Sequence, residues 1–96
     1  PAAERDLAEE IVAFVQRLRA RELFKLPGVA ETIDWADALL QLNQTSLSPE
    51  VVDNSLGALL KYQDDIAKIR GSEAAKILDE IKLEIAAGRV QAARRA

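Results

Sequence analysis

Apolar residues recur along the chain every three or four positions, the spacing that places side chains on one face of an α-helix. No segment sustains the alternation of apolar and polar residues that is typical of half-buried strands. The spacing defines four apolar stripes: Leu7, Ile11, Phe14, Val15 and Leu18; Val29, Ile33, Ala36, Leu39 and Leu40; Val52, Leu56, Leu59, Leu60, Ile66 and Ile69; and Ala74, Ile77, Leu78, Ile81 and Ile85. This pattern predicts an all-α fold, a small bundle of about four helices.

Turn-forming residues separate these stripes, at 26–28, 43–49, 70–72 and at Gly88. Helix-start signals support the division, because Ser48 and Ser72 are predicted N-cap residues and each is followed by an acid that favours the first turn. We therefore expect a single domain with helices over about 3–23, 29–43, 49–70 and 73–87, and a frayed tail over 88–96. Gly57 lies inside the third predicted helix, where we expect it to permit a close contact between two helices.

Composition narrows the chemistry that the chain can perform. With 96 residues it is one domain in length, and it has no Cys and no His, which removes disulfides, thiolate metal sites, cysteine nucleophiles and histidine bases. Its net charge of −3 argues against a general nucleic-acid binder, and no apolar run approaches the roughly 20 residues of a membrane span. We expect a cytoplasmic module that contacts neither nucleic acid nor membrane, binds no cofactor and is not itself an enzyme.

The chain begins at Pro1 and contains no Met. This favours a segment of a longer protein, with removal of an initiator Met as the alternative.

Few residues form a pattern that a reaction or a ligand requires. Asp34 and Asp37 share a helical face, but two carboxylates without further oxygen ligands make only a weak magnesium site. Arg17 and Arg21 share a face and could contact phosphate, but we expect them to be either solvated or in ion pairs. The four aromatic residues are expected in the core, not in a base-stacking platform beside basic residues: Phe14, Phe24, Trp35 and Tyr62. No catalytic residue and no metal-ligand set is predicted.

One segment is more specific. Residues 23–39 (LFKLPGVAETIDWADAL) resemble the C-terminal helical lid of MoxR-type AAA+ ATPases. Residues 11–19 (IVAFVQRLR), 47–52 (LSPEVV) and 56–62 (LGALLKY) resemble the same family, so the resemblance covers about residues 5–71. It implies that an α/β ATPase core with Walker motifs precedes the lid, and that the parent protein binds ATP and magnesium in a hexameric ring.

The resemblance also implies a site and partners. In this family the lid closes over the nucleotide, and the matching turn here consists of Pro27, Gly28, Val29, Ala30, Glu31 and Thr32. The implied partners are the ATPase core of the same chain, neighbouring subunits of the ring and a von Willebrand A-domain protein. The implied activity is chaperone-like maturation of enzymes or insertion of metal cofactors.

The turn departs from the family in one respect. Such lids often place a sensor arginine near the start of their second helix, and no arginine is present at 28–32. Either this branch senses phosphate differently, or the arginine comes from elsewhere, such as Arg17 or Arg21. The alternative to a lid is a free-standing helical adaptor that binds another protein's helix through an apolar groove.

We expect the chain alone to hydrolyse no ATP, because it lacks the residues that hold magnesium and phosphate and position the attacking water. Steady-state phosphate release measures this, with a mock purification as the control. Turnover above the mock that rises in proportion to the concentration of the chain would contradict the expectation.

Overall fold

The computed structural model describes residues 2–95 and contains five helices in that range. They are α1 (Ala2–Leu18), α2 (Val29–Gln41), α3 (Pro49–Leu59), α4 (Gln63–Ile69) and α5 (Ser72–Arg95). The all-α prediction is confirmed, and the described residues include no strand. The bundle is elongated, measuring 44 × 27 × 23 Å along its principal axes.

The two longest helices, α1 and α5, run antiparallel. Arg21, just beyond the end of α1, pairs with Glu73 at the start of α5 across 2.8 Å, whereas Arg89 in the last third of α5 pairs with Asp6 across 3.1 Å. The helix pair α2 and α3 packs beside them, and the short α4 packs on α5. The loop between α2 and α3 meets α1 near its middle, where Glu10 accepts from the Leu47 N–H at 2.7 Å. Beyond Ile81, every residue of α5 except Ile85 is exposed.

Trp35 lies at the centre of the core. Its ring is fully buried and meets the Phe14 ring of α1 at a centroid distance of 5.4 Å, and its indole N–H donates to the Ser55 hydroxyl of α3 across 2.8 Å. One side chain thus joins three helices. The remaining core is aliphatic: Leu7, Ile11, Val15, Leu18, Leu39, Leu47, Val52, Leu56, Leu59, Leu60, Ile66, Ile69, Ala74, Ile77, Leu78 and Ile81.

The predicted helix starts at 29 and 49 coincide with those of the structure, whereas Ser72, the predicted N-cap of the last helix, is its first helical residue. Ser48 caps α3, where its hydroxyl accepts from the Val51 N–H at 3.2 Å and Pro49 occupies the first helical position. Gly71 has φ 81°, a left-handed conformation that glycine adopts without strain, and it turns the chain between α4 and α5. Asn43, with φ 57°, follows the end of α2 in the same conformation.

Two predicted helices are shorter than expected. The first ends at Leu18 instead of residue 23, because tight-turn hydrogen bonds from Arg19, Ala20 and Arg21 replace the helical pattern. The predicted helix 49–70 divides into α3 and α4, since residues 60–62 take an extended conformation that buries Leu60. No proline or glycine marks that break, so local sequence signals do not reveal it.

Two further expectations are wrong. The predicted frayed tail is helical through Arg95, and Arg89 within it bridges to Asp6 and Glu9 of α1. Gly57 makes no close helix contact, because a β-carbon added there would have no neighbour within 4 Å. Its position in α3 therefore has no packing reason.

Only part of the second apolar stripe is buried, since Ala36 packs against the core together with the buried Leu39. In α2 the core takes Trp35 and Leu39, whereas Val29, Ile33 and Leu40 are exposed. Two aromatic residues expected in the core are likewise exposed: Phe24, at 80 %, and Tyr62. The apolar side of α2 is therefore wider than the part of it that the bundle buries.

Replacing Trp35 by Ala should lower the free energy of unfolding by about 3–5 kcal/mol, because a large buried ring and a hydrogen bond between helices are lost together. Urea unfolding followed by far-ultraviolet circular dichroism measures this. Leu83→Ala is the control, since Leu83 is 73 % exposed and should change stability by about 0.5 kcal/mol or less. A Trp35→Ala variant as stable as the control would refute this packing account.

Candidate functional site

The predicted nucleotide-facing turn forms the N-terminus of α2 and is held by its own side chains. Gly28 is the N-cap residue, with an extended backbone at φ −95° and ψ −165°. Its carbonyl accepts from the Thr32 N–H at 3.1 Å and from the Thr32 hydroxyl at 2.7 Å. Its N–H donates to the Glu31 carboxylate at 2.7 Å, as in a capping box. The backbone conformation of Gly28 is one that any residue adopts, so glycine is not required there for φ.

Glu31 places a negative charge over the start of the helix. The hydrogen bond from the Gly28 N–H lowers the pKa of the Glu31 carboxyl, and the nearby Lys25 and Lys61 lower that pKa further. The carboxylate is therefore ionised at neutral pH and faces the positive end of the helix dipole. An anion approaching this turn must displace Glu31 or be balanced by the two lysines.

A cleft of about 250 Å³ lies beside the turn. The cleft is lined by the loop from Lys25 to Pro27, by Glu31 and by the end of α3. Two lysines, Lys25 and Lys61, thus come together with Glu31 although the chain separates them widely. Sequence reasoning did not connect them, because Lys61 lies in the break between α3 and α4 that no local signal announces.

Apolar side chains surround this end of the bundle, which we call the aromatic end and define by Phe24, Leu26, Val29 and Tyr62. The Phe24 and Tyr62 rings are 6.1 Å apart between centroids and tilted by 56°. All four side chains are exposed. The expectation that the aromatics would not cluster beside basic residues is wrong for this pair, since Lys25 follows Phe24 and Lys61 precedes Tyr62 in the chain.

A buried carboxylate fixes the loop that carries the aromatic end. Asp65 of α4 is 1 % exposed, and its two oxygens accept from the backbone N–H groups of Phe24 at 2.9 Å and Lys25 at 3.2 Å. The Lys68 ammonium adds a bond to the carbonyl of Glu22. The loop has little regular structure, so these bonds supply partners that a helix or sheet would otherwise provide.

The other residues that the sequence singled out, two arginines and two aspartates, do not form a reaction site. Arg17 pairs with Glu80 and Glu84, and Arg21 with Glu73, which shows ion pairing for both arginines. The Glu84 carboxylate raises the pKa of Arg17 above its usual value. Asp34 and Asp37 are exposed, and residues 2–95 contain no group of three potential ligands that could hold a metal ion.

One serine does meet a lysine. The Ser46 hydroxyl lies 2.9 Å from the Lys82 ammonium, but Glu10 also contacts both groups, and its carboxylate accepts from the Leu47 N–H at 2.7 Å. A lysine ammonium has no lone pair to accept a proton from the hydroxyl. The arrangement therefore anchors the loop between α2 and α3 and does not activate Ser46.

Comparisons with family models, with curated proteins and with solved structures give no match to this chain. Within the described residues, no helix has both the length and the apolar character needed to cross a membrane.

Asp65→Ala should lower the free energy of unfolding by about 3 kcal/mol, because two backbone N–H groups lose a charged acceptor. The amides of Phe24 and Lys25 should also exchange their hydrogens faster. Urea unfolding and hydrogen exchange followed by NMR measure the two effects. The adjacent, exposed Asp64→Ala is the control and should leave both nearly unchanged. Unaltered exchange at Phe24 and Lys25 in the Asp65 variant would show that the carboxylate does not hold the loop.

Proposed function

We propose that the chain is the helical lid of a MoxR-type AAA+ ATPase, which docks through its aromatic end onto an ATPase core of the same protein. The observation that carries the proposal is the exposure of Phe24, Leu26, Val29 and Tyr62 around the turn that resembles the family's nucleotide-facing segment. Exposed apolar side chains that meet, as the Phe24 and Tyr62 rings do, are typical of an interaction surface.

Two charges at this end, those of Lys25 and Lys61, support a position beside a phosphate, although the Glu31 carboxylate already faces the start of α2. The first turn of a helix leaves N–H groups without intrahelical partners, and the dipole favours an anion there. Arg17 and Arg21 are committed to ion pairs with α5, so they are poor substitutes for the missing sensor arginine. Lys25 and Lys61 line the cleft next to the turn and are the cations better placed for that role.

The same proposal extends to the parent protein. The parent protein would bind ATP and magnesium in its core, assemble as a hexameric ring in the cytoplasm, and act with a von Willebrand A-domain protein in chaperone-like maturation or metal-cofactor insertion. The lid would contribute no catalytic residue and would act by closing the nucleotide site.

A free-standing adaptor is the second candidate, and one observation favours it. An apolar groove of about 560 Å³ runs between α1 and α5, with Val12 and Ile85 on its walls and the Arg17–Glu84 ion pair across it. Such a groove fits the helix-in-groove mode of recognition. An in-frame Walker A and Walker B sequence upstream of Pro1 distinguishes the lid from the adaptor, and its absence from the gene would refute the lid.

In the full-length ATPase, Gly28→Val should slow steady-state ATP hydrolysis by about tenfold, which corresponds to about 1.4 kcal/mol in the barrier. A side chain at residue 28 lies against the Glu31 carboxylate, since even a β-carbon there would be 3.1 Å from its Oε1 atom. The substitution therefore disturbs the cap and the approach to the nucleotide together.

Ile81→Val is the matched control. Ile81 is fully buried in α5, far along the chain from the turn, and loss of one methyl group costs about 0.5–1.5 kcal/mol of stability. Replacing an N-cap residue by a β-branched one costs a similar amount. Equal hydrolysis rates in the two variants would refute the nucleotide-facing position of Pro27–Thr32.

A further inference from the structure

The side of α2 that faces away from the core carries apolar and acidic side chains next to each other. Ile33 is 54 % exposed, Leu40 is 44 % exposed, and Asp37 is exposed as well. Asp37 follows Ile33 by four positions and precedes Leu40 by three, so it is the neighbour of both on the helix surface. We call these three residues the outer α2 face. Asp34, also exposed, lies at its border, three positions before Asp37.

The bundle pairs its charges on one side and leaves them unpaired on the other. All ion pairs of the described residues join α1 and the turn after it to α5. Residues 29–59, by contrast, contain five acidic residues and no basic one. Three of these acids have a local role, since Glu31 and Asp53 accept backbone N–H groups and Glu50 lies in the first turn of α3. The two acids on the exposed side of α2 have no such role.

Two unfavourable features of this side of α2 would be relieved by one kind of ligand. Asp34 and Asp37 are neighbours of like charge, which destabilises a helix, and neither is in an ion pair within residues 2–95. The last turn of α2 also has no basic residue to complement the negative end of the helix dipole. Beside these charges, Ile33 and Leu40 expose apolar area to water. A ligand that is cationic on one side and apolar on the adjoining side relieves both.

We propose that the outer α2 face binds a basic amphipathic helix of a partner protein, whose apolar side chains cover Ile33 and Leu40 and whose lysines or arginines pair with Asp37. Ile33 and Leu40 are seven positions apart, hence about 10 Å along the helix axis, and apolar residues at the same spacing on a second helix match them. Charge complementarity sets the sign of the partner, because Asp34 adds to the negative potential and α2 offers no competing cation. The contact does not involve the Pro27–Thr32 turn and holds equally for a lid and for an adaptor.

The probe is a synthetic alanine-based peptide of about 20 residues, long enough to be helical in water, with leucine along one line and lysine along the adjoining line. Titration of the chain with this peptide, followed by NMR, should give a Kd of about 100 μM or tighter, with the largest amide shifts in α2. Added salt should weaken binding. A peptide with glutamate in place of lysine, and one with alanine in place of leucine, should each bind at least about tenfold more weakly.

Two substitutions in the chain test the two halves of the contact. Asp37→Lys should weaken binding of the lysine peptide by about tenfold or more, because like charges then meet. Its matched control is Asp79→Lys, the same change of charge at an exposed position of α5, which should bind nearly as tightly as the wild type. Leu40→Gln should also weaken binding, whereas Leu83→Gln, at an exposed leucine of α5, should not. Far-ultraviolet circular dichroism checks that each variant remains folded.

Several outcomes would overturn the proposal. One is a lysine peptide that does not bind at about 1 mM, and another is a glutamate peptide that binds equally well. Amide shifts confined to other helices, or a folded Asp37→Lys variant that binds as tightly as Asp79→Lys, would overturn it as well. Self-association of the chain that Leu40→Gln abolishes would assign the outer α2 face to a second copy, and would equally overturn it.

Discussion

Trp35 needs both burial and a hydrogen-bond acceptor, and this requirement determines which side of α2 faces the core. Its ring needs an apolar surround, which Phe14 supplies from α1, and its indole N–H needs an acceptor, which Ser55 supplies from α3. Ser55 can accept because its own hydroxyl donates to the Val51 carbonyl at 2.7 Å. Once Trp35 points inward, Leu39 follows one turn later, and the line through Ile33 and Leu40 must point outward.

Two carboxylates hold the loops on either side of α2 in place. Asp65 accepts from the loop before α2, and Glu10 accepts from the loop after it, at the Leu47 N–H. In both cases a helical side chain supplies what irregular backbone lacks, an acceptor for its N–H groups. The two ends of α2 are thereby fixed independently, and the aromatic end is presented as a defined surface.

Helix number and approximate position follow from the sequence wherever a local signal marks them. The starts of α2 and α3 are predicted because Pro27-Gly28 and Ser48-Pro49 precede apolar periodicity. For Arg17 and Arg21 the sequence leaves solvated and ion-paired states open, and the structure shows ion pairs. The break at 60–62 is not predictable in this way. It depends on burial of Leu60 and on Asp65 reaching a loop some 40 residues earlier, interactions that do not exist until the chain has folded.

Which residues of the second apolar stripe are buried also depends on the folded structure, and local sequence signals do not reveal it. Periodicity alone finds the line through Val29, Ile33 and Leu40, and it cannot tell an apolar face that the chain buries from one that it leaves for a partner. Trp35 decides which side of α2 is buried, because its ring buries more area than these aliphatic side chains and its indole N–H finds an acceptor. The same limit applies to the candidate site. Glu31 and the turn are adjacent in the sequence, but Lys61 comes close to them only in the folded chain.

The exposed Ile33 and Leu40 side chains on α2 gain little burial energy from the bundle that carries them. In a bundle of this size, polar residues at 33 and 40 would preserve the core, because neither side chain contributes to it. Ile33 and Leu40 thus leave apolar surface on the outer side of α2, and the aromatic end is a second exposed apolar surface. Because one core holds both surfaces, their positions relative to each other are fixed.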